Sequence, residues 1–382
     1  MKKNDHERNV KKSERLRKKV EKLLLHSDIK IGGERPWDIQ VHDDAVFERV
    51  MTQGSLALGE TYMDGLWDCN QLDEFFYKIF IANLNTQVLT LVDLFHFLKM
   101  WVVNVQKPSR AFQIGEQHYD IGNDLYEAML DKRMIYSCGY WKEASSLDEA
   151  QEAKMELICR KLGLEPGMRV LDIGCGWGGI AKFAAERYGV EVVGNTVSNE
   201  QASHAKDSCK NLPVDIRMQD YRDLKGSYDR ILSVGMYEHV GYKNYRSYMK
   251  VVKRCLKPDG LFLLHTIGRN SPTKNGDPWM ERYIFPNSML PSPSQTSRAY
   301  EGLFVLEDWH NFSADYDKTL MQWVDNFRKH WDTLKNKYDE RFYRMWIYYL
   351  MASAGSFRSR QNQVWEIVLS PKGVHGGYQS QR

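Results

Sequence analysis

The stretch Val170-Leu171-Asp172-Ile173-Gly174-Cys175-Gly176-Trp177-Gly178-Gly179 constrains this chain more than any other. An apolar run ending in closely spaced glycines predicts a buried strand, a tight turn and then a helix. Glycine is needed where backbone takes φ > 0 or lets a ligand come close. Such a turn leaves bare N–H groups at a helix N-terminus, which suits a polar or anionic ligand group. Asp172 stands just before the turn, where its carboxylate can accept hydrogen bonds from an amine or hydroxyl.

The neighbouring patterns fix the setting of that turn. Strand Arg169–Ile173, helix Ile180–Tyr188, strand Glu191–Val197, helix Glu200–Cys209, strands Val214–Met218 and Arg230–Val234, helix Asn244–Cys255 and strand Leu261–Ile267 follow in order. This rhythm predicts a Rossmann-like α/β fold, a mostly parallel sheet covered on both faces, with ligands at the carboxyl ends of its strands. Upstream, Ser146 and Glu149 read as a capping box for a helix through Leu162. Downstream, residues 268–314 are proline-rich and irregular, and Trp279, Tyr283, Ile284 and Phe285 argue for an ordered lid. Helices near Lys318–Tyr338 and Glu340–Arg358, a last strand Val364–Leu369 and a loose tail from Gly373 complete the reading.

A chain of 382 residues is long enough for more than one domain. Leu16, Val20, Leu23 and Leu24 line one side of an N-terminal helix. Its other faces are basic, with Lys11, Lys12, Arg15, Arg17, Lys18, Lys19 and Lys22, and are read first as solvated and second as attracted to anionic lipid. Gly54–Trp67 is punctuated by glycines and lacks periodicity. Leu72–Val105 reads as helical and aromatic-rich, a core or alternatively a lipid or partner surface. Lys107-Pro108-Ser109 ends it. The expected division is a smaller, mainly helical domain over 1–106 and a catalytic domain over 107–382, with a lid insertion around 268–314. A net charge of +3 and the lack of a basic reading module argue against nucleic acid. The six cysteines are scattered, the start is too charged for a secretory signal, and no run of about 18 apolar residues occurs. The expected location is the cytoplasm, with peripheral membrane contact.

Two cofactors compete for the glycine turn. Gly174, Gly176 and Gly179 fit the dinucleotide fingerprint G-x-G-x-x-G, and the same stretch fits the D-x-G-x-G-x-G motif of enzymes that use S-adenosylmethionine. A dinucleotide site wants an acid at the end of the second strand. That strand ends Val193-Gly194-Asn195-Thr196, with Glu191 at the wrong end. Thr196, Gln201, Asp220 and Tyr221 instead put polar groups at successive strand ends, as the ribose, adenine and amino-acid tail of S-adenosylmethionine require. Glu238-His239 alone reads as a core pair or a metal fragment, but no H-E-x-x-H or third ligand supports a metal.

With these motifs the chain closely resembles the cyclopropane-fatty-acyl-phospholipid synthases, relatives of the mycolic acid cyclopropane synthases. The matching segments are Gly54–Trp67, His118–Asp124, Tyr136–Trp141, Val170–Gly179, Gly235–Gly241, His265–Gly268, Tyr283–Pro286, and Asp308–Phe312 with Asp315-Tyr316. The N-terminal match favours the phospholipid enzymes over the shorter mycolate ones. The resemblance implies a class I S-adenosylmethionine-dependent methyltransferase fold and transfer of a methylene to a cis double bond of an unsaturated phospholipid acyl chain. It implies cofactor contacts at Tyr136, Ser137, Asp172, Gly174, Gly176, Thr196, Gln201, Asp220 and Tyr221. It further implies that Cys138, Glu238, His265, Ile267 and Tyr316 surround a bicarbonate ion that serves as base, and that the protein is a homodimer visiting the inner face of the cytoplasmic membrane. Asn195 stands where the family has an apolar residue, and Gly139 replaces the more usual alanine.

The chemistry explains such residues. An alkene is a weak nucleophile and must meet the sulfonium methyl in line, with water excluded. A base must then remove a proton from the new methyl so that the ring can close. A bound anion avoids swinging a charged side chain into an apolar tunnel, since burying an isolated carboxylate costs several kcal/mol. Glu238 is expected to accept from the acid O–H of bicarbonate, with His265 and Tyr316 donating to its oxygens and the backbone near Ile267 and Cys138 closing the cage. Cys138 as a nucleophile would need an activating neighbour. The competing readings are a lipid methyltransferase leaving a methyl branch, an N-methyltransferase for a small amine, and a non-catalytic membrane-surface protein.

Overall fold

The computed structural model describes residues 2–84, 122–273 and 276–382. The described residues form two compact units. One takes residues up to 84 together with 276–286 and 331–361; the other takes 122–273, 287–330 and 362–382. The break read at Lys107-Pro108-Ser109 and the helix expected from residue 85 to Val105 lie outside the described residues.

The first unit is mainly helical, with helices Lys2–Leu25, Ala45–Met63, Leu72–Ile81, Pro278–Tyr283 and Glu340–Arg358. Its two short strands, β1 (Gln40–Val41) and β2 (Trp67–Asp68), pair antiparallel. The glycine-punctuated stretch is helical up to Met63, broken only at Gly54, where φ is +59°. Two glycines serve close approach. A Cβ on Gly59 would collide with the Trp279 ring, and one on Gly355 would lie 2.7 Å from the Tyr77 amide nitrogen. The rings of Tyr62, Trp67, Phe75, Phe76 and Tyr348 interlock here at edge and tilted angles. Arg344 ties the assembly by donating to the carbonyls of Tyr62 and Trp67 and to the Asp68 carboxylate.

The second unit is built on a seven-stranded sheet. Its strands are β3 (Arg169–Ile173), β4 (Glu191–Thr196), β5 (Val214–Met218), β6 (Tyr228–Val234), β7 (Leu256–Arg269), β8 (Val305–Asn311) and β9 (Asn362–Ser370). They lie in the order β5-β4-β3-β6-β7-β9-β8. The first five run parallel, while β9 is antiparallel to both β7 and β8. Alternate residues feed two cores. Leu171, Ile173, Ile231, Phe262 and Leu264 pack with Tyr245, Tyr248 and Met249 of helix Tyr245–Cys255. Val170, Leu232, Leu261 and Leu263 pack with Ile158 and Leu162 of helix Leu147–Leu162 and with Phe183 and Ala184 of helix Gly179–Tyr188. The near-continuous apolar runs of β3, β6 and β7 are what a strand covered on both faces requires. The chain reverses its direction across the sheet between β3 and β6, the switch point where such folds open a crevice.

Three expectations need correction. The stretch 268–314 is not irregular throughout: it holds β8 and the capped helix Pro293–Tyr300. At the start of helix Leu147–Leu162, Ser146 Oγ accepts from the Glu149 amide, but the reciprocal arm lands one residue early. Glu149 Oε2 accepts from the amide and hydroxyl of Ser145, so this is half of a capping box. The tail is anchored rather than loose. The Tyr378 hydroxyl donates to the Lys161 carbonyl at 2.8 Å, and Arg382 grips Asp308 with both terminal nitrogens.

Candidate active site

The glycine turn takes the backbone its sequence demands. Gly174, Gly176 and Gly178 have φ of +83°, +54° and +83°. At Gly174 a Cβ would also lie 2.8 Å from Met236 Cγ. The Gly174 and Cys175 amides both donate to the Asn195 carbonyl, tying the end of β3 to the end of β4. The Asn195 side chain extends this tie. Its Oδ1 accepts weakly from the Gly174 amide at 3.4 Å, and its Nδ2 donates to the Gln219 carbonyl at 2.9 Å, so three strand ends are joined.

A cavity opens at these strand ends. It is lined by Tyr136, Ser137, Asp172, Gly174, Gly176, Thr196, Gln201, Asp220 and Tyr221, all nine residues read as cofactor contacts. Thr196 Oγ1 donates to Gln201 Oε1 at 2.8 Å. Asp220 accepts from the Arg222 amide and guanidinium. Asp172 is buried, burial pushes its carboxyl up to about 7, and its Oδ2 has no hydrogen-bond partner among the described residues. The Tyr221 hydroxyl is likewise buried without such a partner. A ligand bearing donors and a ribose would satisfy these groups.

The five residues read as the base site fall into two groups, one at the ends of β6 and β7 and one at the start of helix Ala314–Leu334. His265 lies in β7 opposite Val234, and the Gly235 amide donates to its carbonyl. The turn that follows carries Glu238, whose Oε1 accepts from the Ile267 amide at 2.6 Å. Glu238 is therefore joined directly to Ile267, two residues along β7 from His265. Cys138 and Tyr316 are joined through the first turns of helix Ala314–Leu334. There the Gly139 amide and the Trp141 indole both donate to Thr319 Oγ1, and the Trp141 amide donates to Asp315. Ile267 offers less backbone than expected, since its amide serves Glu238 and its carbonyl accepts from the Thr266 hydroxyl. Burial pushes the Cys138 thiol well up and its Sγ donates to the Gly139 carbonyl, which favours the protonated thiol over the nucleophilic thiolate. Burial also pushes Glu238 up to about 7 and holds His265 down in its neutral form. Glu238 Oε2 and His265 Nε2 are both buried with no hydrogen-bond partner among the described residues.

Several buried polar residues that contact these segments were missed in the sequence. Lys154 is fully buried and donates to Ser137 Oγ at 2.8 Å, while Gln151 donates to the Ser137 carbonyl. Burial lowers Lys154 to about 8, which leaves it protonated at neutral pH. Lys161, also fully buried, pairs with Glu366 at 2.7 Å, and Glu366 faces His265 Nδ1 at 3.3 Å. The signal was present: Leu147, Ala150, Gln151, Lys154, Ile158 and Lys161 recur at helical spacing on the inward face. Glu366 similarly interrupts the apolar strand Val364–Leu369.

A parallel sheet with its glycine turn and ligand cavity at the switch point defines a class I S-adenosylmethionine-dependent methyltransferase. The model of the mycolic acid cyclopropane synthetase family matches residues 106–367. The cyclopropane-fatty-acyl-phospholipid synthase of Escherichia coli K12 is 52% identical over 93% of both chains. The cyclopropane synthase MmaA2 from Mycobacterium tuberculosis superposes with a TM-score of 0.65 at 29% identity, covering 70% of this chain and 99% of its own. The mycolic acid cyclopropane synthase CmaA1, solved with SAH and CTAB, gives 0.63 at 31% identity over 68% and 97%. The chain belongs to this family of S-adenosylmethionine-dependent cyclopropane synthases, and it is an enzyme.

Proposed function

We propose that the protein transfers a methylene from S-adenosylmethionine across the cis double bond of an unsaturated acyl chain in a membrane phospholipid. The products are a cyclopropane fatty acyl phospholipid and S-adenosylhomocysteine. The observation that carries the reading is the presence of two sites in one unit: the cavity at the glycine turn and the buried Glu238–Ile267 pair with His265 two residues along β7. A plain methyl transferase needs only the first. Bound S-adenosylmethionine supplies an electrophilic methyl, and bound bicarbonate supplies a base. Asp172, Thr196, Gln201 and Asp220 hold and orient the methyl donor, and Lys154 steadies Ser137 at the cavity wall. Glu238 Oε2 and His265 Nε2 are two buried polar atoms in need of a partner, which suits a small hydrogen-bonding anion, with Tyr316 and the Cys138 segment completing its cage. The apolar side chains around them exclude water, which would trap a cationic acyl chain.

The similarity to the Escherichia coli enzyme over 93% of both chains supports a phospholipid substrate. Among the described residues no helix is long and apolar enough to cross a membrane, which agrees with a peripheral visit to the cytoplasmic face. A homodimer accords with the same reading. The test is purified protein with vesicles of an unsaturated phospholipid and S-adenosylmethionine. A mass gain of one CH₂ with loss of the olefin signal is expected, with the rate falling when carbon dioxide is stripped from the buffer and recovering on adding bicarbonate. An unchanged olefin would refute the reaction, and a rate indifferent to bicarbonate would refute the base.

A further inference from the structure

Behind His265 lies a buried chain of charges. Glu366, fully buried in β9, faces His265 Nδ1 with Oε1 and accepts from Lys161 Nζ with Oε2. Lys161 also donates to His310 Nδ1 at 3.0 Å and lies 3.9 Å from Asp308, which Arg382 holds. The charges of Lys161 and Arg382 balance those of Glu366 and Asp308, so the cluster is neutral as a whole. Burial works against ionisation of Glu366, but Lys161 and His265 more than offset it and hold its carboxyl at about 2.

We infer that Glu366, fixed by Lys161, is a positioning residue that locks His265 in its Nδ1–H tautomer and so makes Nε2 a hydrogen-bond acceptor in the base cluster. A carboxylate that only accepts must be met by a protonated nitrogen, and a neutral imidazole then has its lone pair on the other. Partners of this kind commonly set the ring orientation and tautomer of a functional histidine. The assignment rests on the reading of Glu238, His265 and Tyr316 as the base site, and it reverses the donor role expected for His265. The acid O–H of a bound bicarbonate would be accepted by His265. Glu238, whose burial favours its protonated form, supplies the donor.

Glu366→Gln tests this sharply. Lys161 needs an acceptor, so the glutamine oxygen turns to it and the amide NH₂ turns to His265 Nδ1, which inverts the tautomer. In ¹⁵N spectra of histidine-labelled protein, with the His265 signals assigned by their loss in His265→Gln, the wild type is expected to show protonated Nδ1 and unprotonated Nε2. Glu366→Gln should exchange the two signals and lower kcat by about 100-fold or more, as wrong-tautomer substitutions do. KM for S-adenosylmethionine should stay within about twofold, and Glu366→Asp should restore the wild-type tautomer and part of kcat. A protonated Nε2 in the wild type would overturn the inference even if Glu366→Gln does not fold, as would full activity in that variant when it does. The ring spectrum is read without turnover, so its outcome is separate from that of the lipid assay.

Discussion

Glu238 carries a tension at the scale of a single residue. It must be buried to work beside an acyl chain, yet burial raises its carboxyl from the ordinary 4.5 to about 7. Between those values the folded chain keeps a proton that the unfolded chain has released. The stabilisation this gives is complete below about pH 4.5 and is lost as pH rises through about 7. Glu238→Gln keeps the acceptor for the Ile267 amide and removes the charge. Its thermal midpoint without ligands should exceed that of the wild type at pH 8, by an amount worth about 3 kcal/mol at most, and the gap should close at pH 5. Because glutamine still offers a donor where protonated Glu238 does, cyclopropane formation should persist in part in this variant and be lost in Glu238→Ala, with S-adenosylhomocysteine binding kept in both. Calorimetry at the two pH values and a lipid assay measure all three, and a Glu238→Ala variant that turns over normally would remove Glu238 from the site.

At the scale of elements, strand ends do the positioning. Asn195→Val would leave the Gln219 carbonyl without its side-chain partner and the Gly174 turn without its second tie. A cost of about 1 kcal/mol in stability is expected, with KM for S-adenosylmethionine rising about 3- to 10-fold and kcat little changed. Steady-state kinetics and urea unfolding check this. The parallel half of the sheet was legible because each strand is an apolar run followed by a helix with its own periodicity. Strand β8 was not, because Val305-Leu306-Glu307-Asp308 exposes both apolar residues at a sheet edge and shows no alternation. The residues that line the cavity were legible because strand ends are local. The Lys161–Glu366–His265 chain was not, because its members are 205 and 101 residues apart, and a buried lysine looks like any surface lysine until its partner is known.

Across the whole molecule, the tail and the base cluster are one system. Arg382 neutralises Asp308, and Tyr378 holds the backbone at Lys161. Removing residues 378–382 would leave Asp308 to draw Lys161 away from Glu366. A loss of about 1–3 kcal/mol in unfolding free energy is expected, together with a fall in kcat that exceeds any change in S-adenosylhomocysteine affinity. A truncated protein with wild-type kcat would show that the tail serves stability alone.

The central claim is that one unit both delivers a methyl and takes a proton back from it. Turnover with S-adenosylmethionine carrying a CD₃ group tests it most directly. Ring closure must discard one deuterium, so the lipid product should carry CD₂ in a cyclopropane ring and the third deuterium should appear in solvent. A product retaining CD₃ as a methyl branch would contradict the account, because the cluster of Glu238, His265 and Tyr316 would then have removed nothing.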